Sequence, residues 1–308
     1  MKGNFELIDR EKCPLCGSKD FKVYLNFDKI SILKCRNCSF IYSGATLSDD
    51  SLKEYYRSSF GGDRQKKGQI VNSIVNFKIL DKILDLKAGM SILDVGTGYG
   101  FLLLLFKEKK GLDVTGMEFS LDEAIYAKET LSLDIITTPL EQSDLGFEKF
   151  DIVCAFEVIE HTIDPIIFLD NLKKYLKPSG ELVIVTDNFE SKVVKELGAG
   201  WPKWIPHTHI SHFSPQTLSY ALEKSGFSIV KKASFTPWEH SFRNSLYKLF
   251  SIHKTPEEAY NLESALKNET EGDYKFYKIR KLLSPYLSLK NLKGNLNEAM
   301  MFTVSQKK

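Results

Sequence analysis

Residues Ile92 to Gly100 read Ile-Leu-Asp-Val-Gly-Thr-Gly-Tyr-Gly, and an apolar run, Phe101 to Phe106, begins at once. No other stretch restricts the fold as tightly. The pattern predicts a buried strand, a turn made of glycine backbone, and a helix whose first N–H groups lack intrahelical partners. A strand, glycine turn and helix in that order belong to an open α/β fold, and the turn lets a ligand approach bare backbone at the carboxyl edge of the sheet. The spacing departs from the dinucleotide fingerprint: G-x-G-x-x-G would put its third glycine where Phe101 stands, and Gly100 arrives one residue early.

The strands that follow extend the pattern. Leu112 to Met117 is strand-like and ends on Glu118, 22 residues after Gly96, the spacing at which such folds set a carboxylate against ribose hydroxyls. Phe150 to Glu157 predicts a further buried strand, and Asp164-Pro165 a helix start. That helix runs to Leu176 and is ended by Lys177-Pro178-Ser179-Gly180; Glu181 to Val185 reads as a fifth parallel strand. Phe227 to Lys232 and Glu298 to Val304 predict two more strands. The sixty or so residues between them are rich in helix formers and aromatics, such as Phe242, Leu246, Phe250, Tyr277 and Leu282, and read as a helical insertion.

The G-x-G-x-G turn with Asp94 two places before it resembles motif I of the class I S-adenosylmethionine-dependent methyltransferases, with Asp94, Gly96, Gly98 and Gly100 matching position by position. The stretch E-V-I-E-H-x-x-D-P, Glu157 to Pro165, is similar to the fourth-strand region of the same family. The resemblance implies a Rossmann-like sheet with helices on both faces and S-adenosylmethionine as cofactor. It places Glu118 on the ribose diol, Phe119 against the adenine, and Phe156 at the strand edge that faces the cofactor. Many members carry an acidic residue against the adenine after the third strand. Here Thr138-Pro139-Leu140-Glu141 stands there, so that contact falls to the Leu140 backbone or to Glu141.

Cysteine spacing carries a second signal. Cys13-Pro-Leu-Cys16 and Cys35-Arg-Asn-Cys38 are two C-x-x-C knuckles separated by 18 residues, the arrangement of a four-cysteine zinc ribbon. Four thiolates leave no open coordination position, so zinc here would be structural. Lys22 to Asn26 and Ile30 to Lys34 read as a hairpin between the knuckles, and Cys154, inside a strand, as an inert core residue.

Between ribbon and glycine turn, Ser51 to Ser59 carries Tyr55 and Tyr56. Gln69 to Leu86 shows an apolar stripe at Ile70, Ile74, Phe77, Leu80 and Leu84. Gly61, Gly62 and Gly68 mark the breaks. In the resembled family such helices cover the cofactor, so the tyrosines are candidates to line its site. The organisation expected is a ribbon over residues 1–45, a helical cap over 46–88, the cofactor-binding domain over 89–235, the insertion over 236–295 and a final strand over 296–308.

Trp201 to Ser214 reads W-P-K-W-I-P-H-T-H-I-S-H-F-S, with three of six histidines and two of three tryptophans in twelve residues. It is expected to be a loop outside the packed core. It lacks the carboxylate or cysteine companion of a zinc site. The run His209 to Ser214 resembles an H-x-x-x-F-S segment of methyltransferases acting on sugars and related small acceptors, several of which carry an N-terminal cysteine ribbon. On that match His209 stands near the acceptor and His212 is structural.

Lysine and arginine total 42 against 40 acidic residues, which gives no basic excess to hold nucleic acid. With 43% apolar and 27% charged residues the composition is that of a soluble globular protein, and the absence of a signal-peptide pattern points to the cytoplasm. The function expected is methyl transfer to a sugar, sugar nucleotide or similar small polar acceptor. His209 is the first candidate for general base, ahead of His207, Glu157 and His161. Two alternatives stand beside it: an RNA base methyltransferase whose ribbon grips nucleic acid, and a cofactor-binding module without catalysis.

Overall fold

A computed structural model describes residues 6–48, 50–52, 54–55, 62–268 and 274–308; Tyr56 and Gly61 lie outside them. The N-terminal part contains β1 (Leu7–Asp9), β2 (Phe21–Asn26), β3 (Ser31–Cys35), β4 (Ile41–Ser43) and β5 (Ala45–Leu47), where β1 pairs with β5 and β2, β3 and β4 form an antiparallel meander. Helix α1 (Asp63–Ile83) follows. Next come β6 (Ser91–Val95), α2 (Phe101–Lys110), β7 (Asp113–Met117), α3 (Leu121–Glu129) and β8 (Asp134–Ile136). They are followed by β9 (Phe150–Phe156), α4 (Pro165–Tyr175), β10 (Leu176–Asp187) and α5 (Lys192–Leu197). The chain continues through β11 (Ser211–His212), α6 (Pro215–Lys224) and β12 (Phe227–Phe235). Helices α7 (Trp238–Leu249), α8 (Pro256–Ala259), α9 (Leu262–Asn268) and α10 (Tyr277–Lys290) then lead to β13 (Met300–Lys307).

The central sheet has the order β12-β13-β10-β9-β6-β7-β8. Its five inner and far strands are parallel, and β13 runs antiparallel between β10 and β12. The order reverses between β6 and β9, so the loops after these two strands diverge and leave a crevice at the carboxyl edge. Alternation along each strand explains the continuous apolar runs. Ile92, Ile152, Cys154, Val183 and Val185 face one core with Leu80, Leu103 and Phe106. Leu93, Val153, Ala155, Leu182 and Ile184 face the other with Leu169, Leu172, Leu218 and Leu222. A sheet covered on both sides needs both sets.

Local signals act as read at the helix ends. The Asp164 carboxylate accepts from the Ile166 and Ile167 N–H groups at 2.9 and 3.0 Å, with Pro165 at the first helical position. Cys154 is fully buried against the Leu93 carbonyl, 3.4 Å away.

Three expectations are corrected. The Trp201 to Phe213 segment is packed: Trp201, His207, Ile210, His212 and Phe213 are each at most 1% exposed. The reason is that Ser211 and His212 form β11 and pair with Tyr42 and Ile41, adding a fourth strand to the ribbon sheet. The cap helix buries Val71, Val75, Ile79 and Leu80, whereas Ile70, Ile74 and Phe77 are only half-buried; Phe77 meets Phe106 of α2. The fifth parallel strand also begins earlier than its apolar run, at Leu176, and includes the Lys177 to Gly180 stretch across a register shift.

Candidate active site

The glycine turn closes the β6 end of the crevice. Gly96, Gly98 and Gly100 all have positive φ (78°, 57° and 80°), the region that side chains rarely adopt. A Cβ at Gly96 would collide with Val158, and one at Gly100 would stand 2.6 Å from Leu133 Cδ1. The β6 and β9 loops therefore touch at Gly96 and Val158, and the missing side chain is what permits it. Glu118, at the end of β7, accepts from the Gly98 N–H and from the Ser120 N–H, each at 2.7 Å. Burial raises its pKa while those N–H groups oppose the rise. A carboxylate oxygen has a second lone pair, so the same group can accept from a diol. Asp94 is buried behind the turn, and burial raises it to about 7.

The cap helix reaches this turn through Gln69. Its side-chain oxygen accepts from the Tyr99 N–H at 2.8 Å, and its amide nitrogen donates to Glu123 at 2.6 Å. A Cβ on Gly98 would overlap the Gln69 amide. The turn thus presents bare backbone on which a planar polar side chain packs closely. Phe119 and Phe156 are half-buried at the same edge. The Leu140 carbonyl accepts from the Tyr175 hydroxyl at 3.4 Å.

The β9 and β10 ends carry a cluster of acids, histidines and one lysine. Glu157 follows β9 with φ 53°, a strained conformation of the kind that collects at functional sites. Lys203 forms an ion pair with Glu157 and lies 3.7 Å from Asp187. Burial works against the Glu157 charge, yet Lys203 holds its pKa below the ordinary range. Burial raises Glu160 to about 8, with help from Asp187 and Glu157. It raises Asp187 to about 7 against the pull of Lys203. Glu160 also accepts from the Thr186 hydroxyl at 2.9 Å. The Lys203 and Glu157 side chains keep 28% and 24% of their surface, so a small molecule can reach them.

The histidines divide by surroundings. The His161 and His209 rings meet edge to face with centroids 4.6 Å apart. His209 is buried and its Nδ1 has no hydrogen-bond partner among the described residues. Burial, then the charge of His161, pushes its pKa well below the usual imidazole range. His207 has a tyrosine hydroxyl on each ring nitrogen, Tyr55 at 3.3 Å and Tyr260 at 2.8 Å. Tyr55 is therefore engaged with the histidine segment. His212 packs on Phe189 and Trp204, and burial lowers its pKa to about 3.

Glu160, His161 and His209 bring one ligand atom each within 4.8 Å of one another, as do Glu157, Glu160 and Asp187. Sequence reading found no carboxylate companion for the histidines because Glu160 comes from a different loop. Lys203, Asp187 and Gln69 were missed as well. Lys203 was visible as the cation inside W-P-K-W and Asp187 as the last residue of a strand; nothing local marks Gln69.

The four cysteines form a separate centre. Cys13 Sγ lies 3.6 Å from Cys38 Sγ, Cys16 Sγ lies 3.6 Å from Cys35 Sγ, and all four sulfurs fall within 4.8 Å of one another. A zinc tetrahedron with bonds of about 2.3 Å has edges of about 3.8 Å, so the donor set fits that ion. Packing among the thiols also raises the pKa of Cys38, first through Cys13, as burial raises that of Cys35. A divalent cation would relieve that cost.

With this geometry the comparisons can be read. The model of a methyltransferase domain matches residues 72–232, about half the chain. The chain belongs to the methyltransferase domain family. Two curated relatives are ubiquinone biosynthesis O-methyltransferases. The Nitrobacter winogradskyi protein is 32% identical over 161 residues, 49% of this chain and 61% of that one. The Rhodopseudomonas palustris protein is 32% identical over 163 residues, 49% and 64%. The chain thus spans under two thirds of the length of these relatives. Among solved structures it resembles a chain of the complex between a methyltransferase and a methyltransferase activator from Haloferax volcanii, with TM-score 0.52, 16% identity and coverage of 83% and 96%. It also resembles an S-adenosylmethionine-dependent methyltransferase of Thermotoga maritima, with TM-score 0.50, 18% identity and coverage of 78% and 92%. These likenesses bear on the fold alone, and the methyltransferase domain match leaves out the ribbon and the helical insertion.

Proposed function

We propose that the protein transfers a methyl group from S-adenosylmethionine to an oxygen or carbon of a sugar, sugar nucleotide or related small polar acceptor. The observation that carries this reading is the contact of Gly96 with Val158, which brings the cofactor turn within a few residues of the His161 and His209 pair. When bound, S-adenosylmethionine supplies a methyl group on a sulfonium, ready for in-line displacement. Gly96, Gly98 and Gly100 hold its polar part on bare backbone, Glu118 takes the ribose hydroxyls, and Phe119, Phe156 and Leu140 shape the apolar side.

Alignment of acceptor and donor and exclusion of water supply most of the rate. Gln69 covers the turn at Gly98, and the histidine segment would close the acceptor side. His209 takes the acceptor proton at Nδ1, a nitrogen without another partner. Its depressed pKa keeps the ring neutral, and therefore able to accept, at pH 7. His207, fixed between two tyrosines, and Glu157, paired with Lys203, orient the segment; His161 supports the His209 ring. Cys13, Cys16, Cys35 and Cys38 would hold zinc as a structural ion.

A second reading has support in the relatives: as ubiquinone biosynthesis O-methyltransferases they favour an oxygen acceptor of the kind met in ubiquinone biosynthesis. Incubation with S-adenosylmethionine labelled in its methyl group and a panel of sugar nucleotides, catechols and RNA decides between them. Label on a sugar nucleotide is expected. Label on catechol alone would transfer the assignment to the second reading, and salt-sensitive labelling of RNA would overturn both.

A further inference from the structure

Helix α10 is amphipathic in the wrong sense for a core helix. Its buried residues are Ser284, Pro285 and Ser288, whereas Ile279, Leu282, Leu283 and Tyr286 are 49%, 76%, 39% and 62% exposed. Those four follow i, i+3, i+4, i+7 and share one face. The inward face is held by polar contacts that leave no freedom to turn the helix over. Ser284 Oγ accepts from Trp238 Nε1 at 3.0 Å and donates to Glu239 at 3.2 Å, and Arg280 pairs with Glu239. The apolar face therefore points outward because α7 and α1 bind the other one.

Charge says what the face meets. Lys275 to Lys293 contains six lysines and arginines and no acidic residue, in a chain whose overall net charge is only +2. An exposed apolar stripe with Phe276 and Tyr286 towards its two ends, in a segment rich in lysine, is the composition of an interfacial helix on anionic lipid. A two-fold contact with a second copy would press one basic rim against another. A peptide partner would need a groove, and these exposed side chains lie on the outer face of a single helix.

We propose that α10 docks the protein on the surface of an anionic bilayer as a peripheral contact. No helix among the described residues is long and apolar enough to cross one. Because the inward face of α10 packs along α1, which carries Gln69 to the glycine turn, the docked helix is a neighbour of the helix that covers that turn. The inference does not depend on the identity of the acceptor.

Co-sedimentation of the full chain with vesicles tests it. The protein should pellet with vesicles containing equal parts phosphatidylglycerol and phosphatidylcholine, and at least about fivefold less with phosphatidylcholine alone or in about 0.5 M salt. Leu282→Glu should cut the bound fraction about tenfold, and Lys278→Glu with Lys290→Glu several-fold, while circular dichroism and cofactor binding stay unchanged. Equal pelleting of Leu282→Glu, or no pelleting of the wild type with anionic vesicles, would overturn the proposal. A wild-type dimer that Leu282→Glu dissolves, without any vesicle affinity, would assign the face to a second copy instead.

Discussion

At the scale of single residues the proposed chemistry turns on how burial treats His209. Deleting the ring should leave S-adenosylmethionine binding intact and lower kcat about 100-fold, the usual contribution of a positioned base. Calorimetry and steady-state rates on His209→Ala separate the two effects. Because burial depresses its pKa, the proton-accepting form persists below the ordinary imidazole range. Wild-type activity should hold through pH 6.5 and fall only at lower pH; an acid limb centred near the ordinary imidazole value of about 6.5 would show that His209 is not the base. Gly98→Val should abolish cofactor binding, since a side chain there meets Gln69 on a backbone with φ 57°. Glu118→Ala should weaken binding by about 1 to 3 kcal/mol, the range for hydrogen bonds to a charged group.

At the scale of elements the ribbon and the histidine segment act as one unit. β11 pairs with β4, and Phe40 of the ribbon packs on Phe213 with ring centroids 5.1 Å apart. Cys13, Leu15, Phe40 and Tyr42 belong to the same buried cluster as Leu169 and Leu218 of the catalytic layer. Purified protein should contain one zinc per chain, and Cys35→Ser should lower soluble yield, because metal binding contributes folding energy. Removal of the ion should then loosen more than the ribbon. Hydrogen exchange is expected to accelerate across Ile205 to Phe213 as well as across β2 to β4. Exchange confined to the knuckles would show that the two elements are independent.

Over the whole molecule, buried ionisable groups make stability depend on pH in opposing ways. His212 and His240 are held near 3 by burial, so the unfolded chain binds protons that the folded one does not, and stability falls as pH drops below about 6.5. Glu160, Glu123, Asp94 and Asp187 are raised to about 7 or 8, first by burial. For these the folded chain holds the extra protons. Their contribution is fully present below the ordinary carboxylate range and is lost as pH rises towards 8. Between about pH 4.5 and 6.5 the two sets oppose each other; above that only the carboxyls act. The melting temperature of cofactor-free protein should therefore decline from pH 6.5 to 8, and Glu160→Gln should flatten the decline. A rising curve over that range would show that these carboxyls ionise at ordinary pH in the fold.

What the sequence determined by itself is local. Ile92 to Gly100, Glu118 and the cysteine knuckles were legible because a glycine turn, a strand-end carboxylate and a two-thiolate turn each depend on neighbours within a few residues. Continuous apolar runs, which a sheet covered on both faces requires, made the strands legible for the same reason. Strand order, the join of β11 to the ribbon and the approach of Gln69 to Gly98 were decided only by tertiary structure, since each pairs groups far apart in the chain. So was the outcome for the Trp201 to Phe213 segment. Its aromatics and histidines looked like a loop in sequence and are core in the fold, where neighbours from four separate elements take them out of water. Burial set in that way, and not residue type, is what moves His209 and Glu160 from their ordinary protonation.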